Sequence, residues 1–260
     1  MSLKGRVALV TGGGRGIGKG IAQGLAEDGA DIAIFFRKDE AAALDTVRII
    51  EAMGRKARAY RAPVDDLCAV TAAMARIAEE LGPVGILINN AGIASRGLSV
   101  ADTDPAEIER VMRVHGFGAF YCSKLALPMM RAIGRGDIIM ISSVASRDWP
   151  AGWVPYNMGK AALEALAYTL AQEERGNNIR VNIVAATLTA SAMGSGLAKA
   201  TLGVKADIHE LDAQMPFGRV SMPEDIGHVV RFLVSDANSY VSGERIYVDG
   251  ALRGALPTLS

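Results

Sequence analysis

Short apolar runs alternate with segments of helical period along nearly the whole chain. Residues 7–10, 32–36, 57–62, 84–88, 137–141, 179–184 and 246–248 read as strands, most of them apolar on both faces. Ile17, Ile21 and Leu25 recur four apart, which predicts a helix over 17–28. Further helices are predicted over 39–53, 66–81, 107–131, 156–175 and 223–234. Gly54 and Gly82-Pro83 supply stop signals, Asp104-Pro105 a start, and Pro223 a first-turn proline. Strands buried on both faces and separated by helices require a doubly wound, mainly parallel sheet of seven strands with helices on both faces. No compositional break interrupts the α/β rhythm, so 1–260 reads as a single domain. Only 190–218 departs from it, with Gly194, Gly196 and Gly203 set among Ala, Leu and Met. Following the sixth strand, that insertion reads as a substrate lid over the strand ends, the alternative being a surface excursion.

Composition narrows the class. Half the residues are hydrophobic, and 28 Lys and Arg balance 28 Asp and Glu. No global field then favours nucleic acid or an anionic membrane, and neither is expected as a partner. The two cysteines, Cys68 and Cys122, show neither disulfide-framework nor metal-ligand spacing, so no metal is expected and a reducing, cytoplasmic setting fits. The apolar run near the N-terminus is too short for a signal-peptide core. Glycine is the outlier at 29 residues, and its placement carries chemistry.

Thr11-Gly12-Gly13-Gly14-Arg15-Gly16-Ile17-Gly18 lies between the first strand and the first helix. A glycine-rich turn there lets backbone N–H groups and the helix dipole face a pyrophosphate. The spacing is T-G-x-x-x-G-x-G, neither the strict G-x-G-x-x-G nor a P-loop. Where a dinucleotide site would place an acid for the adenosine ribose, the second strand ends Phe35-Phe36-Arg37-Lys38. Two cations suit a 2′-phosphate, with Arg15 as a further guanidinium, so NADP(H) is preferred and NAD(H) possible. The alternative is a solvated strand end.

Tyr156-Asn157-Met158-Gly159-Lys160 opens a predicted helix, which puts Tyr156 and Lys160 on one face. A lysine ammonium alongside a phenol stabilises the phenolate and draws the tyrosine pKa toward the working range. Ser142-Ser143 ends the preceding strand at the carboxyl edge, where a hydroxyl can hold a substrate carbonyl against Tyr156.

Taken together, these residues resemble the short-chain dehydrogenase/reductase family over nearly the whole length. The resemblance rests on T-G-x-x-x-G-x-G at 11–18, Asn89-Asn90-Ala91-Gly92, Ser143 thirteen residues before Tyr156, and Lys160. It continues through Arg180-Val181-Asn182, Pro216-Phe217-Gly218-Arg219, Pro223-Glu224-Asp225 and Val248-Asp249-Gly250. It implies a Rossmann-type fold and, among relatives, is nearest in look to 3-oxoacyl-[acyl-carrier-protein] reductases and glucose dehydrogenases. By that resemblance Tyr156 is the general acid/base, Lys160 binds the nicotinamide ribose and lowers the tyrosine pKa, and Ser143 orients the carbonyl. Gly12, Gly14, Arg15, Gly16, Ile17, Gly18, Arg37, Val64, Asn90, Ala91, Gly92, Thr189 and Ser191 would complete the cofactor site.

Several positions depart from the family pattern. His115 stands where an asparagine usually serves the proton relay; it is a catalytic candidate, with simple packing as the alternative. Pro63 replaces an aspartate near adenine, Ala186-Thr187 a Pro-Gly, and Gly159 a serine. The expected activity is NADP(H)-dependent interconversion of a ketone and a secondary alcohol, acting on CH–OH groups of a small molecule. The competing expectation is a nucleotide-binding scaffold or regulator of the same fold with little turnover. A helix over 156–175 that is apolar nearly all round predicts a homodimer or homotetramer. Trp149 and Trp153 could wall a substrate site or pack beneath a loop. Arg96, Arg147, Lys199 and Lys205 could bind an acidic carrier or be ordinary solvated charges.

Overall fold

The computed structural model describes residues 2–254 and 256. Seven strands match the seven predicted runs: β1 (Val7–Thr11), β2 (Asp31–Phe36), β3 (Ala57–Arg61), β4 (Val84–Asn89), β5 (Gly136–Ser143), β6 (Ile179–Ala186) and β7 (Arg245–Val248). They form one sheet in the order β3-β2-β1-β4-β5-β6-β7, with every pairing parallel. Chain order reverses between β1 and β4, so a crevice opens beyond the carboxyl ends of these strands.

Alternation along each strand feeds two cores. Leu9, Phe35, Leu87 and Val181 face one side, where α3 (Leu67–Glu80), α5 (Gly118–Ile133) and α7 (Val154–Glu174) contribute Ile77, Cys122 and Leu163. Val10, Ile34, Ile88 and Val184 face the other, against α1 (Gly16–Glu27), α2 (Glu40–Ala52) and α9 (Pro223–Val234), with Ile21, Val47 and Val230. Helix starts are set by aspartates. Asp39 and Asp66 accept from the N–H groups of Ala42 and Ala69, and Asp104 caps α4 (Pro105–Met112) through Ala106. At the amino ends of the strands, buried Asp137 accepts from Arg6 at 2.7 Å and from Arg180 at 2.7 Å. Arg6 also donates to the carbonyls of Gly85 and Val234, tying β4, β5 and α9 to one guanidinium.

Three local expectations need correction. The single helix over 107–131 is α4, then a π turn (Arg113–Phe117), then α5. The extra residue is accommodated where Gly118 packs on Val64; a Cβ at Gly118 would stand 2.7 Å from Val64 Cγ2. α7 begins two residues earlier than predicted, at Val154, with Pro155 in its first turn. Two helices have no counterpart in the apolar pattern: α6 (Ala145–Asp148) and α8 (Ala192–Thr201). The segment from Leu188 to Val220 carries its own small core of Leu188, Ala198, Leu202, Ile208, Leu211 and Val220. Among the described residues no helix is long and apolar enough to cross a membrane.

Candidate active site

The glycine loop closes β1 onto α1. Gly12 (φ +65°) and Gly16 (φ +52°) occupy the left-handed region, which only glycine enters freely. A Cβ at Gly18 would lie 2.3 Å from the Gly12 carbonyl oxygen, and one at Gly14 3.0 Å from Ala43 Cα. The loop therefore packs backbone on backbone, leaving no room for side chains. Arg15 precedes α1 without a side-chain cap, and the first turn of α1 holds no acid. Ile17 lies half-buried in that turn. The first N–H groups of α1 thus face the crevice without a competing anion from the helix itself, an arrangement that fits a pyrophosphate.

Asn90 joins this loop to β4. Its Nδ2 donates to the carbonyls of Thr11 at 2.8 Å and Gly12 at 3.3 Å, while Thr11 Oγ1 accepts from the N–H groups of Asn90 and Ala91. Val64 is buried at the end of β3, against Gly118. Arg37 and Lys38 are exposed just beyond β2 and form no ion pair among the described residues. Arg15 is exposed too, but Asp39 Oδ2 lies 4.0 Å from its guanidinium. Folding thus returns a carboxylate to a neighbourhood that the strand end alone showed as wholly basic. Ser191 sits against the loop, its Cβ 3.1 Å from where a Gly16 side chain would begin. Its hydroxyl caps α8 through Gly194 N–H and donates to Thr189 O, and Thr189 Oγ1 donates to Thr187 O. Both hydroxyls predicted for the cofactor have protein partners, whereas that of Thr187 is buried without one.

Tyr156 lies in the first turn of α7, half-buried, with Lys160 fully buried one turn later. The Ser143 hydroxyl at the end of β5 accepts from the Ala145 N–H at 3.2 Å and stands near the Tyr156 phenol. Burial raises the phenol pKa above 10, and the serine contact opposes that rise. Lys160 Nζ stands 5.6 Å from the centre of the Tyr156 ring and donates to Ile141 O at 2.7 Å. Desolvation lowers its pKa to about 8, partly countered by Glu164. The lysine is therefore held by the β5 backbone beside the Tyr156 ring.

His115 is completely buried in the π turn. Its Nε2 is 3.0 Å from both the N–H and the carbonyl oxygen of Ile93, and its ring meets Tyr156 edge-on at 5.3 Å. Burial, then the Lys160 charge, lowers its pKa to about 3, so the ring is neutral. Gly92 and Gly159 bracket it: added Cβ atoms would lie 3.0 Å from His115 Cε1 and 3.1 Å from His115 Cβ respectively.

Sequence reasoning overlooked Glu164, one turn beyond Lys160. Buried Glu164 accepts from the hydroxyls of Ser142 and Ser146 and from Arg245 at 2.7 Å. A carboxylate at i+4 from a lysine on an otherwise apolar helix was the available signal. Among the described residues, no group of His, Cys, Asp and Glu side chains is arranged to hold a metal ion.

The sheet order, the glycine cradle at β1 and the Ser143–Tyr156–Lys160 cluster at β5 and α7 have a counterpart in family comparison. A family model described as "Enoyl-(Acyl carrier protein) reductase" matches residues 12–252. The chain belongs to the short-chain dehydrogenase/reductase family, oxidoreductases that act on alcohol and ketone groups with NAD(P)(H). Among its relatives, a 3α-hydroxysteroid dehydrogenase of Mediterraneibacter gnavus is 36% identical over 97% of this chain and 99% of its own. A 3-oxoacyl-[acyl-carrier-protein] reductase of Thermotoga maritima is 32% identical, over 97% and 99%. A solved 7α-hydroxysteroid dehydrogenase, complexed with NADH and 7-oxo glycochenodeoxycholic acid, superposes with a TM-score of 0.89. It is 31% identical, over 98% of this chain and 97% of that one.

Proposed function

We propose that the protein reduces a ketone to a secondary alcohol with NADPH, or runs the reverse, using Tyr156 as the proton donor and acceptor. The observation that carries this reading is the placement of the Ser143 hydroxyl, the Tyr156 phenol and the Lys160 ammonium together at the carboxyl edge of β5. A nicotinamide dinucleotide bound along the glycine loop supplies the hydride for the carbonyl carbon, or accepts it from the alcohol. The chain's own residues handle the oxygen. Ser143 donates a hydrogen bond to the carbonyl oxygen and holds it beside Tyr156. As the C=O π pair moves onto oxygen, Tyr156 gives up its proton to it. The buried Lys160 charge offsets the phenolate left behind. Glu164 holds Ser142 and Ser146 on either side of Ser143 and so fixes the hydroxyl. His115 fixes the backbone at Ile93 and the edge of the Tyr156 ring.

Preference for NADPH is supported by Arg37 and Lys38, exposed and in no ion pair among the described residues, with Arg15 within 4.0 Å of the neighbouring Asp39. Gly12, Gly14, Gly16, Gly18, Asn90, Ala91 and Gly92 would line the rest of the cofactor site, with Val64 under adenine. The segment 190–218, closing on the glycine loop through Ser191, would act as the lid. Phe117, Phe120 and Tyr168 are exposed on the outer faces of the π turn, α5 and α7 and would join copies into a dimer or tetramer.

NADPH oxidation by the purified protein over a panel of cyclic, open-chain and β-keto thioester carbonyls tests the activity. Tyr156→Phe should lower turnover by roughly 10²–10⁴-fold, the span of a lost general acid, while leaving NADPH binding intact. Turnover unchanged in that variant would remove Tyr156 from the chemistry.

A further inference from the structure

Trp149 combines two properties that rarely meet in one residue. It is 56% exposed, and its backbone sits in the left-handed region at φ +46°, ψ +54°. A bulky side chain in that region is strained, and a strained residue persists only where its surroundings over-determine it. Here α6 does so. Trp149 N–H donates to Ala145 O, closing the helix that follows Ser143. Behind it Arg147 is clamped by Asp148 and Asp249, donates to Leu252 O, and lies 4.6 Å over the Tyr247 ring. On the other side Pro150 O accepts from Asn157, the neighbour of Tyr156. The second tryptophan, Trp153, meets the Tyr156 ring edge-on at 5.7 Å. The two indoles thus lie on one short connection between Ser143 and Tyr156. No gain in packing explains an indole left largely in solvent at a strained position.

We propose that Trp149, with Trp153, is a stacking platform that selects fused-ring ketones and alcohols, presenting their flat apolar face beside Tyr156. Of the four cations that could meet an acidic, carrier-bound acyl substrate, the two arginines are spent, Arg147 on Asp148 and Asp249 and Arg96 on Glu107, while exposed Lys199 and Lys205 pair with no carboxylate among the described residues. Leu98 and Met193, each nearly half exposed, add apolar surface on the flanking segments 93–101 and 190–218. An open-chain ketone offers no rigid face to an indole and pays rotor entropy on binding. This selection deepens the reductase reading and rests on it for the reacting carbonyl.

The chain's two tryptophans make the test direct, because Trp153→Phe leaves Trp149 as the sole indole. In that variant trans-1-decalone should quench tryptophan fluorescence saturably, with a Kd at least about tenfold below that of 2-decanone, an open-chain ketone of equal carbon number. In the otherwise intact enzyme Trp149→Gly should lower the ratio of kcat/KM for decalone over decanone at least about tenfold, and at the same time raise Tm by relieving the backbone. Trp149→Asn, which also tolerates the left-handed region, serves should the glycine variant fold poorly. Equal quenching by the two ketones, or an unchanged ratio, would overturn the platform. Decalone binding at Trp149 without turnover of any ketone would sink the reductase reading and leave the platform. Turnover insensitive to Trp149 would do the opposite.

Discussion

His115 shows how one residue fixes a measurable property of the whole protein. Its folded-state pKa, about 3, lies below the ordinary 6.5, chiefly because the ring is buried, with Lys160 and Arg110 adding repulsion. The unfolded chain takes up a proton below pH 6.5 that the folded chain refuses until about pH 3. Stability is therefore whole above pH 6.5 and falls as pH drops through that window, by up to about 1.4 kcal/mol per pH unit. Urea unfolding should show about 2 kcal/mol lost between pH 6.5 and roughly 5, ahead of most carboxylate titration, and His115→Asn should abolish most of it. An equal slope in both proteins would place the proton elsewhere. Tyr156 is governed by the same balance: burial raises its pKa, so the phenol stays protonated and holds its proton more tightly, while Ser143 limits the rise.

The π turn and α7 meet at the scale of elements, and two departures from the family pattern prove to be one contact. The imidazole of His115 is wedged between Gly92 and Gly159, so Gly159 on α7 is the space the histidine requires. Restoring a serine alone, Gly159→Ser, should cost about 1–3 kcal/mol through overpacking against His115 and Val111. Combined with His115→Asn, whose shorter side chain no longer reaches Gly92, the turn can yield and the cost should shrink. A double-mutant cycle by denaturant unfolding should give a coupling of at least about 0.5 kcal/mol; additivity within error would mean the two positions are independent. The same packing explains why the predicted long helix is interrupted, since the π turn sets His115 toward Ile93 and Tyr156.

Across the whole molecule, the two ends of the sheet have separate tasks. The carboxyl ends carry the site, and the amino ends carry the clamp of Arg6, Asp137 and Arg180. Asp137→Ala leaves two guanidiniums buried or half-buried without their partner and should destabilise by about 3–5 kcal/mol. Because Asp137 lies a strand length from Ser143 on the same β5, NADPH affinity should be unaltered below the unfolding transition. Isothermal titration and urea unfolding on one sample distinguish the two effects, and a loss of affinity without loss of stability would contradict the division of labour.

Much of this was legible along the chain, for definable reasons. Periodicity fixes which faces are buried, so the seven strands and the doubly wound layers follow from apolar runs and helical spacing alone. Gly12, Gly16 and Gly18 could be read because a tight strand-to-helix turn demands glycine locally, and Tyr156 and Lys160 because four residues make one helical turn. Other features depend on residues far apart in sequence, and only folding brings these together. Glu164 becomes a hub when β5, α6 and β7 deliver Ser142, Ser146 and Arg245 to it. Asp39 reaches Arg15 across a turn that no local pattern records. Lys160 also donates to the Ile141 carbonyl, because a buried ammonium needs an acceptor. Trp149 closes α6 in the left-handed region, and Asp249 and Leu252, about a hundred residues on, hold Arg147 two residues before it. Sequence set the layers and the candidate site side chains; tertiary contacts set their charge states, their partners and the surface around them.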